Sequence, residues 1–506
     1  MPDDYRTPGI YTSEASTRTR SLQRKATTVT AFPGRYCKGP IGEPVLVKTI
    51  EEFEETFGSS GSRYTASTMV RLFFENGGRQ ALIYRLFQGD PLQNTARFDI
   101  PSAAGPLVFR ARNAGGWGNH LRIGIKPHPV DANHFNLGVD EQNDALLPAD
   151  QESELYERLT LDDLSPNSLR TRLRHSRLLA IENCPDQPAQ PAKGIYEPTA
   201  KGDDGGALNE AEIIADNDLL TVQSTAFFDI LCLPDAENGG GFSNPSIKQV
   251  AKFCANHKRI FLMGSHPAWT TPLSVSTGIR NLQKLLTADE RSAVAVYYPN
   301  LKVAAPLDMR KEIVLSPVGA VAGIMAHSCR SNGIWKAPAG VETAIKGCQG
   351  LTVPVSDSEI ESLAALGVNG LKQSPSHQYI VMGARTLDGS SQSASSYKYL
   401  SVKRMADYIE LAATEGCSWA VFEPNNEATW AAMRAQLTAF METQFRAGAF
   451  AGLSPQGSYF VRCDANTTTV ADRRSGIIRV NIGFAPVRPS EFVTLNLILP
   501  AQSVGP

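Results

Sequence analysis

The chain has no Cys-x-x-Cys pair, no His-Glu-x-x-His, no Gly-Lys-Ser or Gly-Lys-Thr, and no surplus of charge of either sign. Each gap removes a class of function. The eight cysteines (Cys37, Cys184, Cys232, Cys254, Cys329, Cys348, Cys417, Cys463) include several set in apolar runs, such as Cys232. They read as small buried side chains in a reducing compartment, not as a disulfide framework. The eight histidines show no metal-ligand spacing, so neither a metal nor any other cofactor is expected. A net charge of −2 and a pI near 6.5 give no electrostatic footprint for nucleic acid or a membrane surface. The longest uncharged apolar stretch, 313–326, is too short to cross a bilayer and contains Pro317. The acidic start Met1-Pro2-Asp3-Asp4 is no secretory leader, so assembly in the cytoplasm is expected.

What the chain does have is 506 residues, 42% of them hydrophobic and 20% charged, enough for several globular domains. Its two ends are unusual. Residues 490–499 alternate like a strand, with Phe492, Val493, Leu495, Leu497 and Leu499 as the apolar positions, before Pro500 ends the run. The opening residues form an extended arm punctuated by Pro8-Gly9 and carrying Tyr5, Ile10 and Tyr11. Terminal strands expose unpaired backbone groups and invite pairing with another chain. The C-terminal strand is therefore expected not to be satisfied by its own chain, and both arms are read as inter-subunit strands.

Between the arms the pattern is mixed α/β. Residues 27–32 read as a strand, Ile50, Phe53 and Phe57 mark a short helix, and Gln80 to Leu86 is a strand. Two strands surround the glycine turn at 113–119. Residues 184–209, rich in Pro, Gly and Asp, are expected to be a linker or exposed loop. Residues 227–233, a helix capped by Asn244 with Pro245 in its first turn, and 259–263 form a β-α-β unit, the mark of a parallel sheet. Farther on, Ser356 and Glu359 make a capping box, 419–422 reads as a strand, and Asn425 or Asn426 caps a long helix. That helix buries the stripe Trp430, Met433, Leu437, Phe440 and Met441. Its opposite face holds Arg434, Thr438, Glu442 and Arg446, free to meet a partner.

Gly239-Gly240-Gly241, between a strand and a helix, is the best candidate for enzymatic chemistry, a phosphate cradle on a helix N-terminus. Asn244 stands where a dinucleotide fingerprint needs its third glycine, so a plain loop is favoured. Ser265 and His266 are neighbours on an extended segment and point to opposite sides, which keeps them from acting as nucleophile and base.

Many short motifs fall in one order. They are Pro8-Gly9-Ile10-Tyr11, Thr30-Ala31-Phe32, Phe74-Glu75-Asn76-Gly77-Gly78, Gly116-Trp117-Gly118-Asn119, Tyr297-Tyr298-Pro299, the run 316–323, and Gly333-Ile334-Trp335. Toward the C-terminus come Gly383-Ala384-Arg385-Thr386-Leu387, Phe422-Glu423-Pro424-Asn425, and the run 485–492. In these the chain resembles the sheath proteins of contractile phage tails and of related phage-tail-like injection particles. Residues 130–215 align with no motif.

The resemblance implies a multi-domain α/β (mixed α+β) subunit with no enzymatic activity and no cofactor. The expected parts are an N-terminal arm (1–25), an N-terminal segment (26–100), an outer β-rich domain (101–215) with its linker at 184–209, a central α/β domain (216–355), a C-terminal α/β domain (356–489) and a strand arm (490–506). It implies a helical homopolymer around an inner tube protein, with baseplate and terminal cap proteins as further partners. Arg434, Thr438, Glu442 and Arg446 become candidates for facing the tube. Contraction would drive the tube through a target envelope, and the particle would be a phage tail or an injection device released from the cell. Two other readings are a nucleotide-binding α/β enzyme using Gly239–Gly241 and a discrete oligomeric binding protein.

Overall fold

The computed structural model describes residues 28–487 and the backbone of 493–500, except 60–63, 104, 130, 132–133, 143–151, 185–189, 215–226, 235–240, 306–307 and 391–394. It falls into two compact units, one of residues 26–407 and one built mainly from residues 408–506.

The first unit is organised on an eight-stranded sheet. Its order is Tyr379–Val381, Val368–Gln373, Val294–Tyr298, Ile260–Met263, Ile230–Cys232, Thr30–Gly34, Ala81–Arg85, Pro44–Val47. The six inner strands run parallel and the two outermost antiparallel. The parallel strands are buried on both faces, which is why they read as unbroken apolar runs. One face is covered by helices Asn244–His257 and Pro272–Leu285, the other by Thr65–Glu75 and Val318–Asn332. The last two approach backbone to backbone. A Cβ at Gly319 would collide with the Met69 carbonyl oxygen, and one at Gly323 with that of Phe73.

The β-α-β unit expected in the middle is present, with one shift at its helix. Ser243, not Asn244, is the N-cap, accepting from Ser246 N, and Pro245 lies one turn position farther in. From Arg97 to about residue 200 the chain builds a separate core between two small sheets. One is Arg97–Ile100, Leu107–Ala111, Leu179–Asn183. The other, in spatial order, is Gly194–Tyr196, Leu121–Pro127, Phe135–Glu141, Ser153–Leu159. The stretch expected as a linker or exposed loop is, from Gln190 on, an exposed strap anchored at a few points: it contributes the Gly194–Tyr196 strand, and Gly202 is buried against the backbone of Asn94 and Ala96. Small side chains that read as looseness in the sequence are there because neighbouring backbone leaves no room.

In the second unit, helix Glu427–Arg446 buries Trp430, Met433, Leu437, Phe440 and Met441, the stripe expected from its spacing, with Asn426 as N-cap. It packs beside a three-stranded antiparallel sheet of Tyr459–Arg462, Ile477–Phe484 and Val493–Pro500. Residues 419–422 are not a strand. They lie in a 3-10 turn, Ser418–Phe422, held by Glu423 N donating to Ala420 O and Trp419 Nε1 donating to Gln436 Oε1. Four apolar residues are too few for periodicity to separate strand from turn.

Candidate assembly interface

The C-terminal strand corrects one expectation. Val493–Pro500 pairs antiparallel with Ile477–Phe484 of the same chain, in unbroken register from Ile477↔Pro500 to Phe484↔Val493. Leu495, Leu497 and Leu499 stand opposite Ile482, Val480 and Ile478. The chain can therefore satisfy this strand itself, because residues 485–492 are long enough for a return connection. Such a ladder contributes on the order of 1 kcal/mol net per hydrogen bond. Tyr5, Ile10, Tyr11 and Phe492 lie outside the described residues.

The other edge of the sheet is protected. Tyr459–Arg462 covers only residues 481–484 of the central strand. Beyond it, Thr468 Oγ1 accepts from Arg479 N, and Asn425 Nδ2 donates to Ile477 O. These side chains close backbone groups that would otherwise template pairing. The outer side of Val493–Pro500 ends the sheet's strand order.

The four helix positions divide. Glu442 accepts from Arg446 Nε at 2.8 Å and from Tyr459 Oη at 2.9 Å, and these bonds, the arginine's first, hold its carboxyl below the usual range. Burial and Glu442 together push the Tyr459 phenol up to about 12. Arg434 is tied down, donating to Cys463 O at 2.5 Å and to Glu427 Oε1 at 3.3 Å. Thr438 and Arg446 are exposed, with Ala432, Ala435 and Ala439 beside them on the same surface. The face is thus half pre-set charge and half small side chains.

Against the nucleotide alternative, the described residues bring a carboxylate into the crevice that such a ligand would use. In the sheet, chain order reverses at Thr30–Gly34, which has Ala81–Arg85 on one side and Ile230–Cys232 on the other. Crevices beyond the carboxyl ends of strands at such a reversal are where α/β folds bind ligands. Here Asp204 occupies it. Asp204 Oδ1 accepts from Gly116 N at 2.6 Å and Oδ2 from Tyr64 Oη at 2.9 Å, while Arg35 donates to the Asp204 and Gly205 carbonyls, both at 2.8 Å. Among the described residues, a cavity beside it, lined by Arg35, Tyr64, Leu208, Ile213 and Pro234, is about 10 Å³. That is room for no more than a water.

The N-terminus of helix Asn244–His257, where a phosphate was envisaged, receives the Glu210 carboxylate instead, which accepts from Ser243 N at 2.6 Å and Ser243 Oγ at 2.9 Å. Those bonds, the backbone one foremost, lower the Glu210 pKa. Gly239 and Gly240 lie outside the described residues, and Gly241 is pressed against His266 and Pro267. Ser265 Oγ donates to the His266 carbonyl and not to its ring. Among the described residues no group of three or more His, Cys, Asp or Glu is placed to hold a metal, and no helix is long and apolar enough to cross a membrane.

Sequence reasoning passed over Asp204, Arg35, Tyr64 and Glu210. The signal that would have found them was the switch in strand order, which becomes visible only once strand neighbours are known.

Compared with known proteins, residues 392–499 match the family model of the phage tail sheath C-terminal domain. The chain is 24% identical over 184 residues to the tail sheath protein of Vibrio phage KVP40. That match covers 36% of this chain and spans about a quarter (26%) of the relative. The crystal structure of a sheath tail protein from Listeria innocua superposes with a TM-score of 0.67 at 15% identity, covering 94% of this chain and 96% of the other. The contracted helical sheath of the anti-feeding prophage gives a TM-score of 0.57 at 20% identity over 96% and 98%. The contracted sheath complex of the PVC extracellular contractile injection system gives 0.57 at 18% over 97% and 96%. The chain therefore has the multi-domain α/β fold of tail sheath proteins over nearly its whole length, and the resemblance drawn from its motifs is the one these comparisons find.

Proposed function

We propose that this chain, which carries a sheath C-terminal domain on a sheath fold, is the repeating structural subunit of a contractile sheath, without catalytic activity. Copies polymerise helically around an inner tube from a baseplate, are closed by a terminal cap protein, and contract to push the tube through a target envelope. Contraction releases free energy stored in a metastable lattice as subunits move into better-packed contacts, and needs no nucleotide at the moment of firing. Arg434, Thr438, Glu442 and Arg446 face the tube. The particle is put together in the cytoplasm and works after release, as a phage tail or a free injection device.

The observation that carries the reading is the terminal three-stranded sheet, which lies largely inside the stretch matching the sheath domain and whose last strand is supplied by the chain end. A strand that pairs in cis at the end of a connection pairs equally well in trans with an identical neighbour, at no loss of hydrogen bonds. In the polymer, Val493–Pro500 of one copy completes the sheet of the next, and the N-terminal arm adds at the edge that strand leaves open.

Chains lacking residues 1–20 or 490–506, imaged by negative stain beside the full chain, test this. The full chain forms long tubules and each truncation forms none or short ones. Long regular tubules from both truncations would falsify the arm mechanism.

A further inference from the structure

On the outward side of the four-stranded sheet, one row of residues crosses every strand. Ile195, Gly124, Gly138 and Leu155 stand opposite one another in register. Ile195 is 78% exposed and Leu155 68%. The alternate positions Ile123, Ile125, Leu137 and Val139 are buried beneath, in the domain's own core. The middle of the row has no side chain. It is a trough floored by backbone, with an exposed apolar side chain at each end.

Among the described residues, nothing asks for glycine at these two positions. Neither is among the glycines at positive φ. Among the described residues, a Cβ on Gly124 would come no closer to another group than 4.0 Å, and one on Gly138 no closer than 3.9 Å. The one register irregularity of the Phe135–Glu141 strand lies between Phe135 and Leu137, before Gly138. Glycine inside a strand weakens it, and where no bend or bulge explains it, it marks the close approach of something else. Exposed Lys126 and Lys193, each two positions from the row, make one flank basic.

The same domain displays a matching projection. Leu164 is 94% exposed at the tip of the turn after Ser153–Leu159. The turn is fixed: Leu164 N donates to Asp162 Oδ1 at 3.0 Å, Ser165 N to Asp162 O at 3.1 Å, and Asp163 pairs with Arg170 at 3.3 Å. One apolar side chain is thus held out beside two carboxylates. The trough offers an apolar side chain at each end beside two lysines.

We propose that the Gly124–Gly138 trough receives the Leu164 turn of a second copy of this chain. The inference rests on the sheath reading for its partner. Knob and trough are different patches, so the contact is heterologous and propagates as an open array instead of closing a dimer.

Three full-length chains test it: wild type, Gly124→Val and Leu164→Ala. Gly124→Val leaves the melting temperature unchanged or higher, because the added side chain enters open space on a strand. It raises the lowest concentration at which tubules form by about tenfold or more, as loss of a buried interface anchor does. Leu164→Ala does the same. In tubules assembled from Leu164→Cys chains mixed with Gly138→Cys chains, oxidation yields disulfide-linked dimers joining one of each. If the wild type forms no tubules, the sheath reading fails and this one with it. If the wild type assembles and both variants assemble at the same concentration, or the mixed tubules give no linked dimer, the trough contact alone is overturned. A Gly124→Val chain that assembles normally yet loses binding to another protein also overturns it, by assigning the trough to that partner.

Discussion

Arg85 is 1% exposed and donates to four backbone carbonyls: Tyr36 (3.1 Å), Gly39 (2.8 Å), Cys37 (3.2 Å) and Ala114 (2.8 Å). Burial lowers its pKa to about 10, yet the guanidinium stays charged because its donors are matched and Asp204 lies nearby. It ties the end of the parallel sheet to the glycine turn of the β-rich domain. Glu141 is the opposite case. Buried, it keeps a carboxyl whose pKa is raised, chiefly by burial and further by Glu152, although Lys38 and His120 oppose the shift. Lys38 is itself paired with Glu152 at 2.5 Å. A carboxyl with a raised folded pKa holds its proton more tightly when folded. Its contribution to stability is therefore present below the unfolded pKa and is lost as pH rises through the folded one. Glu141→Gln should match the wild type in urea at pH 4 and exceed it at pH 7.5. A midpoint difference that does not grow with pH would count against this account. At this scale the sequence was least informative. Nothing near Arg85, Glu141 or Asp204 marks them, because what they do depends on neighbours dozens to more than a hundred residues away. The motif 383–387 was visible, and its reason is structural. Asn369 Nδ2 donates to Arg385 O and its Oδ1 accepts from Arg385 N, Gly383 leaves room for Asn369, and Thr386 Oγ1 donates to Tyr397 O.

At the scale of elements, local signals did well where spacing alone decides. The capping box at Ser356, the cap at Asn426 and the Trp430 stripe follow from periodicity and side-chain chemistry, and all are present. They failed where tertiary packing decides: the 3-10 turn at Ser418–Phe422 and the return of the last strand. The crossing of Thr65–Glu75 with Val318–Asn332 shows packing written in sequence but unreadable without a partner. Gly319 and Gly323 sit one helical turn apart, facing the Met69 and Phe73 carbonyls. Gly323→Ala would gain helix propensity yet force the helices apart, so it should cost about 1–3 kcal/mol net in chemical denaturation. An unchanged or raised midpoint would mean the helices separate freely.

For the whole molecule, the fold class and the sheath resemblance were legible, because they rest on many weak signals in sequence. Which strand pairs with which was not, since a free chain end is compatible with its own sheet and with a neighbour's. A consequence at this scale concerns energy supply. With Asp204 in the crevice and Glu210 on the neighbouring helix, a panel of nucleoside triphosphates should leave the melting temperature of the full chain unmoved. A bound nucleotide at a hundredfold above its dissociation constant would add about 2.7 kcal/mol and be seen at once. A clear upward shift with any of them would reopen the enzymatic reading.

The strap that carries Asp204 to the sheet's crevice also bears on how such an assembly could be stopped. An inhibitor aimed at the pocket where α/β proteins usually take small molecules would meet Asp204 and its hydrogen bonds here. An effective blocker would have to be a wedge between copies, sized to a protein contact, and an antibody fragment or a peptide copying a short loop suits that task better than a nucleotide mimic.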